Sequence, residues 1–369
     1  MKAKAAVVHA TGENFSVEDI DLPELNDDEV LVRTVGVGVC HTDIATRDAQ
    51  LPSPLPIVLG HEASGIVEGV GTRVRGLSIG DHVVLTTASC GRCSSCLTGE
   101  PTYCAEFATI NSQSDTMVRH GKTADGKNVA LKFFGQSSFA EFALANERNT
   151  IKVRKDAPLE LLGPFGCGIQ TGAGTILNGL KPKMGSSIAI IGCGSVGLSG
   201  LLASVVSGCT TIIAVDVVES RLQLARSLGA THVVNGKSDA GLEAEIRKIV
   251  PDGVNYILDT TALPSLVRAA ANSLSLRGHL GLVGVPRKMD EVFTLDVIRN
   301  LATGVTIQYF LEGDSVPQKF IPALVDLYMQ GKFPVDKLVT YYPFDQINEA
   351  VSDQLSGRVT KPILRLNTK

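Results

Sequence analysis

No uninterrupted apolar run of about 18 residues occurs in the chain, which excludes an ordinary membrane-spanning helix. No run of five or more basic residues occurs either, and a formal net charge of −4 offers nucleic acid no electrostatic footprint. Tryptophan is absent, as are internal repeats and low-complexity segments. The opening stretch MKAKAAVVHATGENF lacks a long apolar segment followed by a cleavage site. A cytoplasmic protein is therefore expected, in which thiols stay reduced and clustered cysteines point to metal or catalysis rather than disulfides. What remains is 44% hydrophobic and 20% charged, with 37 glycines, the composition of a soluble globular protein. At 369 residues it is too long for one ordinary core, so two domains are expected.

The two halves differ in rhythm. Up to about residue 150 the chain reads as short strands broken by glycine and proline: EVLVRTVGVGV and GDHVVL have strand character, while PSPLP and SCGRC mark loops. From about residue 185, SSIAIIG, TIIAVD, THVVN, VNYILDTT and GHLGLVGV are compact apolar runs suited to buried parallel strands. Helical stretches lie between them, and Leu222, Ala225 and Leu228 share one face of the second. Alternating strand and helix argues for a doubly wound sheet. The tail, FIPALVDLYMQGKF and PFDQINEA, reads as helices that rejoin the first domain.

After the strand IAII comes GCGSVG, with Gly192, Gly194 and Gly197 at GxGxxG spacing before an apolar helix. Gly192 permits the tight turn, Gly194 lets a pyrophosphate approach the backbone, and Gly197 allows close packing of helix on strand. The next strand ends at Asp216, where a carboxylate can accept hydrogen bonds from an adenosine ribose and would repel a 2′-phosphate, favouring NAD over NADP. The alternative is a glycine turn that only packs helix on sheet, with Asp216 a solvated strand end.

Cys90, Cys93, Cys96 and Cys104 are spaced C-x2-C-x2-C-x7-C. Four thiolates around one tetrahedral zinc make a closed, structural site; disulfides and an iron–sulfur cluster are the competitors, the latter lacking its usual spacing and proline. A catalytic metal needs an open position. Cys40 in GVCHTD, His61 in GHE and Cys167 in GCG would make a Cys2His set with a fourth position free, although each alone also suits a buried thiol or a satisfied loop histidine.

Taken together, GHEASGIVEGVG (60–71), the four-cysteine stretch, GCG and GCGSVG resemble the zinc-dependent medium-chain alcohol dehydrogenase family, in order and over essentially the whole chain. CHTD, ESRLQLARSLGATHVVN and FIPALVDLYMQGKFP are most similar to its aryl (benzyl) alcohol dehydrogenase branch. The resemblance implies an α/β chain: a GroES-like β-rich catalytic domain from residues 1–165 and 310–369, with a zinc lobe at 89–105, and a Rossmann NAD-binding domain at 166–309. It implies two zinc ions, catalytic on Cys40, His61 and Cys167, structural on Cys90, Cys93, Cys96 and Cys104, and leaves Cys193 and Cys209 as packing residues.

By the same resemblance Thr42 takes the substrate alcohol's proton and Asp43 orients His61. Glu62 lies behind the zinc, modulating ligand exchange or serving as a buried charge paired with an arginine. His41 and Lys361 fall near the pyrophosphate, Arg221 near the ribose, and Thr171, Val196 and Val283 to Val285 around the nicotinamide. Ala45 stands where well-known relatives end their proton relay in histidine. Within the segment 104–139, Phe133 and Phe134, with Leu51, are candidates for the substrate pocket. The implied activity is NAD-linked oxidation of a primary aromatic or allylic alcohol to the aldehyde by a homodimer or homotetramer. A glutathione-dependent formaldehyde or broad aliphatic alcohol dehydrogenase, and a non-catalytic NAD-binding protein, are the alternatives.

Overall fold

The structure is a computed structural model, described here for residues 1–111, 119–238, 241–286, 288 and 290–366. The segment 112–118, part of the stretch flanking the candidate pocket, lies outside the described residues. The chain divides into two compact units, Met1–Cys167 with Val316–Met329 and Val339–Lys369, and Gly168–Ser315 with Gln330–Leu338. The tail thus returns to the first unit at Val316 rather than near residue 310, and the stretch Gln330–Leu338 belongs to the second.

The first unit is built on the strand Glu29–Gly38, whose valines Val30, Val32 and Val37 are fully buried. It pairs antiparallel with Ala63–Val70 along most of its length, with Phe142–Asn146 on its first half and with Lys361–Arg365 at its far end. This last pairing brings the C-terminal strand beside the residues that lead into Cys40. A second group of strands, Lys2–Val8, Ser16–Asp21, Arg119–Thr123, Asn128–Leu131 and Ile57–Val58, closes into a small barrel. Val7, Val30, Val67, Phe139 and Leu364 share one core. The one carboxylate at the start of the central strand, Glu29, is buried and held by Lys132 at 2.8 Å and Arg119 at 3.3 Å, the pairing that a buried charge requires.

The second unit carries six parallel strands in the order His232–Asn235, Thr211–Asp216, Ser187–Ile191, Val254–Asp259, Leu274–Leu282, Thr306–Tyr309. Numbered along the chain this is 3-2-1-4-5-6, the dinucleotide-binding order expected of a Rossmann fold. The inner strands are continuous apolar runs because helices cover both faces. Helix Glu219–Ser227 buries Leu222 and Ala225, and Leu228 just beyond it, the face the spacing gives. Among the described residues no helix is long and apolar enough to cross a membrane.

Candidate active site

The central strand of the first unit ends at Gly38, and helix His41–Arg47 begins with Cys40 as its N-cap. The helix starts there because Asp43, three residues on, turns its carboxylate back onto the Cys40 N–H at 3.0 Å. The other oxygen of Asp43 accepts from the Gly60 N–H at 3.1 Å and from His61 Nδ1 at 2.9 Å. Gly60 has φ +91, and a Cβ there would also collide with the Phe139 backbone, so glycine is required before His61.

Asp43 is fully buried and accepts a hydrogen bond from the Nδ1 proton of His61, which turns Nε2 away from it as the nitrogen that can face a metal. That Nε2 is buried without a hydrogen-bond partner among the described residues. It converges with the thiols of Cys40 and Cys167 and the Glu62 carboxylate, all four ligand atoms lying within 4.8 Å of one another. The neighbouring Cys167 thiol holds the Cys40 pKa well below its usual range, against the upward push of burial, and the His61 ring helps. For His61 burial works downward, but Asp43 and Cys40 outweigh it and hold the ring pKa high. Two thiols, one readily ionised, and an orphaned imidazole nitrogen form a donor set suited to zinc.

Thr42 stands beside this group, its Oγ1 3.7 Å from Cys40 Sγ. Glu62 is buried against Lys361, whose ammonium donates to Glu62 Oε2 at 2.7 Å and to the Val39 carbonyl at 3.1 Å. Burial raises the Glu62 pKa, and the attraction of Lys361 opposes it. Of the two roles implied for Glu62 the ion pair is therefore present, with lysine in place of arginine. Lys361 itself is 1% exposed. Its ammonium is engaged inside the first unit by Glu62 and the Val39 carbonyl. His41, by contrast, is exposed.

Phe134 has left-handed φ (+49), and this backbone lays its ring on the face of His61, centroids 4.8 Å apart and planes at 29°. Phe133 meets the same imidazole edge-on at 5.6 Å but is only 3% exposed and belongs to the core. Gln136, which sequence reading passed over, donates from Nε2 to the His61 carbonyl at 2.9 Å; a lone glutamine in a loop carries no signal that would single it out. Leu51 is half-buried beyond the end of helix His41–Arg47, its N–H on the Ala45 carbonyl at 3.3 Å.

The four remaining metal-spaced cysteines also converge within 4.8 Å. Backbone amides point at their sulfurs, Cys93 N at Cys90 Sγ, Ala105 N at Cys93 Sγ and Glu106 N at Cys104 Sγ, each at 3.4 Å. The Cys93 thiol is brought down to about 6, chiefly by the Ala105 amide. Among the described residues, which include all eight cysteines, no disulfide forms. Cys193 and Cys209 have thiols pushed up by burial, to about 12 and about 11, as packing residues should.

In the second unit Gly192 takes φ +90 at the end of the first strand, and a Cβ on Gly197 would strike the Gly192 carbonyl. A Cβ on Gly194 would meet nothing within 4 Å, so the space over that residue is open to a ligand. The Asp216 carboxylate is held by the Cys193 and Val217 N–H groups, both at 2.7 Å, and by Val218 N–H at 2.9 Å, so it braces the turn as well as ending its strand. Arg221 lies 4.0 Å from it. The Val196 carbonyl accepts from Ser199 Oγ in the first turn of the following helix, Val283 N donates to the Asp259 carbonyl at 3.1 Å, and Val285 is exposed. Thr171 lies within 3.5 Å of the Glu312 carboxyl group, a neighbour the sequence did not announce.

Residues 26–155 match the family described as alcohol dehydrogenase GroES-like domain, and residues 195–329 that described as zinc-binding dehydrogenase. A geraniol dehydrogenase of Castellaniella defragrans is 44% identical over 366 residues, 99% of this chain and 98% of that protein. The crystal structure of benzyl alcohol dehydrogenase from Acinetobacter calcoaceticus is 46% identical, with a TM-score of 0.93 and full coverage of both chains. That of an alcohol dehydrogenase zinc-binding domain protein from Burkholderia ambifaria is 49% identical at a TM-score of 0.96, again with full coverage.

Proposed function

The chain belongs to the zinc-dependent medium-chain alcohol dehydrogenases, and we propose that it oxidises a primary aromatic or allylic alcohol reversibly to the aldehyde, with NAD as hydride acceptor. One observation carries the reading: a buried histidine with an unpartnered Nε2 faces two cysteines, and an aromatic ring lies flat on its outer face. Zinc held by Cys40, His61 and Cys167 supplies Lewis acidity, which lowers the pKa of an alcohol hydroxyl toward neutrality. Thr42 Oγ1 accepts that hydroxyl proton as it gives up its own hydroxyl proton to the next group of the relay. With alanine at position 45 the proton passes on to a group other than a histidine at that position.

Asp43 keeps His61 in one tautomer and one orientation. Phe134 supplies an apolar wall that keeps water off the imidazole face and favours a flat, apolar substrate. The names of the relatives, geraniol and benzyl alcohol dehydrogenase, support the aromatic or allylic assignment. A second zinc on Cys90, Cys93, Cys96 and Cys104 is structural. NAD is preferred over NADP because the buried Asp216 carboxylate opposes a 2′-phosphate. A homodimer or homotetramer is supported by the exposed apolar side chains of helix Val297–Thr303 in the second unit.

The test is NADH formation by zinc-loaded protein with benzyl alcohol, geraniol, ethanol and sorbitol, beside a Cys40→Ala control. Turnover of the first two, lost in the control, is the expected result. Preference for ethanol, or dependence on added glutathione with formaldehyde, would remove the aromatic assignment, and no turnover with NADH still bound would leave a nucleotide-binding protein.

A further inference from the structure

Glu312 is 7% exposed, and the chemistry derived so far does not use it. It opens a turn just after the strand Thr306–Tyr309, at the carboxyl edge of the parallel sheet, where a doubly wound fold takes its ligand. Three successive residues of that turn have left-handed φ: Glu312 at +51, Gly313 at +64 and Asp314 at +48. Glutamate and aspartate are strained there, and such strain persists only where the surroundings enforce it.

Helix Gly168–Gly174 does the enforcing. A Cβ on Gly313 would stand 2.5 Å from the Gln170 carbonyl oxygen and 2.8 Å from that of Thr171, and one on Gly174 would strike the Gly313 carbonyl, so turn and helix touch backbone to backbone. Glu312 Oε2 accepts from Gln170 Nε2 at 3.0 Å and lies 3.5 Å from Thr171 Oγ1. Ser315 Oγ donates to Gln170 Oε1 at 2.9 Å, and Asn178 Nδ2 donates to the Gly313 carbonyl at 3.1 Å. The opposite flank of the same helix rests on the first turn after the glycine motif, where Gly172 abuts the Val196 carbonyl and Ser199 Oγ reaches Gly168 O at 3.4 Å. Thr171 is therefore gripped between the dinucleotide turn and the Glu312 turn.

A turn that only packed against a helix would have no need of a buried carboxyl group, which is costly to desolvate. We infer that Glu312 is a positioning residue for the nicotinamide half of the cofactor, aiming the Thr171 hydroxyl and setting the depth of the helix that walls the ring. The inference rests on the proposed reading of the second unit as the NAD site.

Calorimetric titration of the zinc-loaded enzyme with NADH and with ADP-ribose, which lacks the nicotinamide, separates the two. Glu312→Ala should weaken NADH about tenfold, the effect of losing a buried hydrogen-bonded carboxyl group, and leave ADP-ribose unchanged. Glu312→Gln keeps an acceptor toward Gln170 and Thr171 and should restore most of the NADH affinity. Equal weakening of both ligands would make Glu312 merely structural, and unchanged NADH affinity in Glu312→Ala would leave it no role; either overturns the inference. Failure of the unmutated enzyme to bind ADP-ribose would instead remove the NAD reading, and this inference with it.

Discussion

Asp43 serves three donors with two oxygens: Cys40 N–H on one, Gly60 N–H and His61 Nδ1 on the other. Asparagine cannot reproduce this, because whichever way its amide turns, an NH2 group confronts a donor. Asp43→Asn should therefore loosen His61 and weaken zinc at the Cys40 site by about 10–100-fold, with a parallel loss of turnover. Competition with a chromogenic chelator measures it; unchanged affinity would detach Asp43 from the metal. The Glu62 and Lys361 pair makes a second claim at this scale. Lys361→Met leaves a buried carboxylate without its cation and should cost about 3–5 kcal/mol in urea unfolding, and adding Glu62→Gln should recover much of that. The two residues show where sequence reading stops. The four-cysteine spacing is legible by itself, whereas Cys40, His61, Cys167 and Asp43 were picked out through the family resemblance, because a single cysteine, histidine or aspartate also suits an ordinary buried position. The Lys361 partnership spans 299 positions and depends on the C-terminal strand lying beside Gly38, which no local pattern encodes.

Elements differ in how much of their stability is their own. The pieces that carry the four-cysteine site, helix Ser94–Leu97 and the 3-10 turn Pro101–Tyr103, are too short to persist alone, and the first of them buries no residue. What holds them is convergence on the sulfurs. Chelating the metal proposed for this site, or Cys93→Ser, should remove hydrogen-exchange protection over residues 89–105, while the strands Glu29–Gly38 and Ala63–Val70 stay protected. Protection that survives in the lobe would show that its own packing suffices. Regular elements were the more legible ones: SIAII, TIIAVD and VNYILD are buried strands because apolar runs of that length fit a sheet covered on both faces. The turn that sets Phe134 on His61 was not, since left-handed φ at Lys132, Phe134 and Ser137 runs against the preferences of those residues and is imposed by their surroundings.

At the scale of the whole molecule a doubly wound sheet was legible from alternating strand and helix, but its order 3-2-1-4-5-6 and its last strand, Thr306–Tyr309, were not. It is short, lies at the sheet edge and is mostly exposed, with Tyr309 at 64%, so the apolar signature of an inner strand is missing. Just before it in the chain, helix Val297–Thr303 buries none of its own residues and leaves Val297, Ile298 and Leu301 each at least 75% exposed. An uncovered edge strand with apolar side chains close by in sequence is a liability that proteins cover or charge. Neither device is present on these side chains, and a second copy of the chain would supply the cover. The expected outcome is that the unmutated protein sediments as a dimer or tetramer at micromolar concentration. Ile298→Glu combined with Leu301→Glu should shift it toward monomer, with little effect on the thermal stability of the second unit, since these side chains contribute nothing to its core. A monomeric unmutated protein would remove the oligomer from the proposed function. An oligomer indifferent to the two charges would place its interface elsewhere and leave this helix without an explanation for its apolar face.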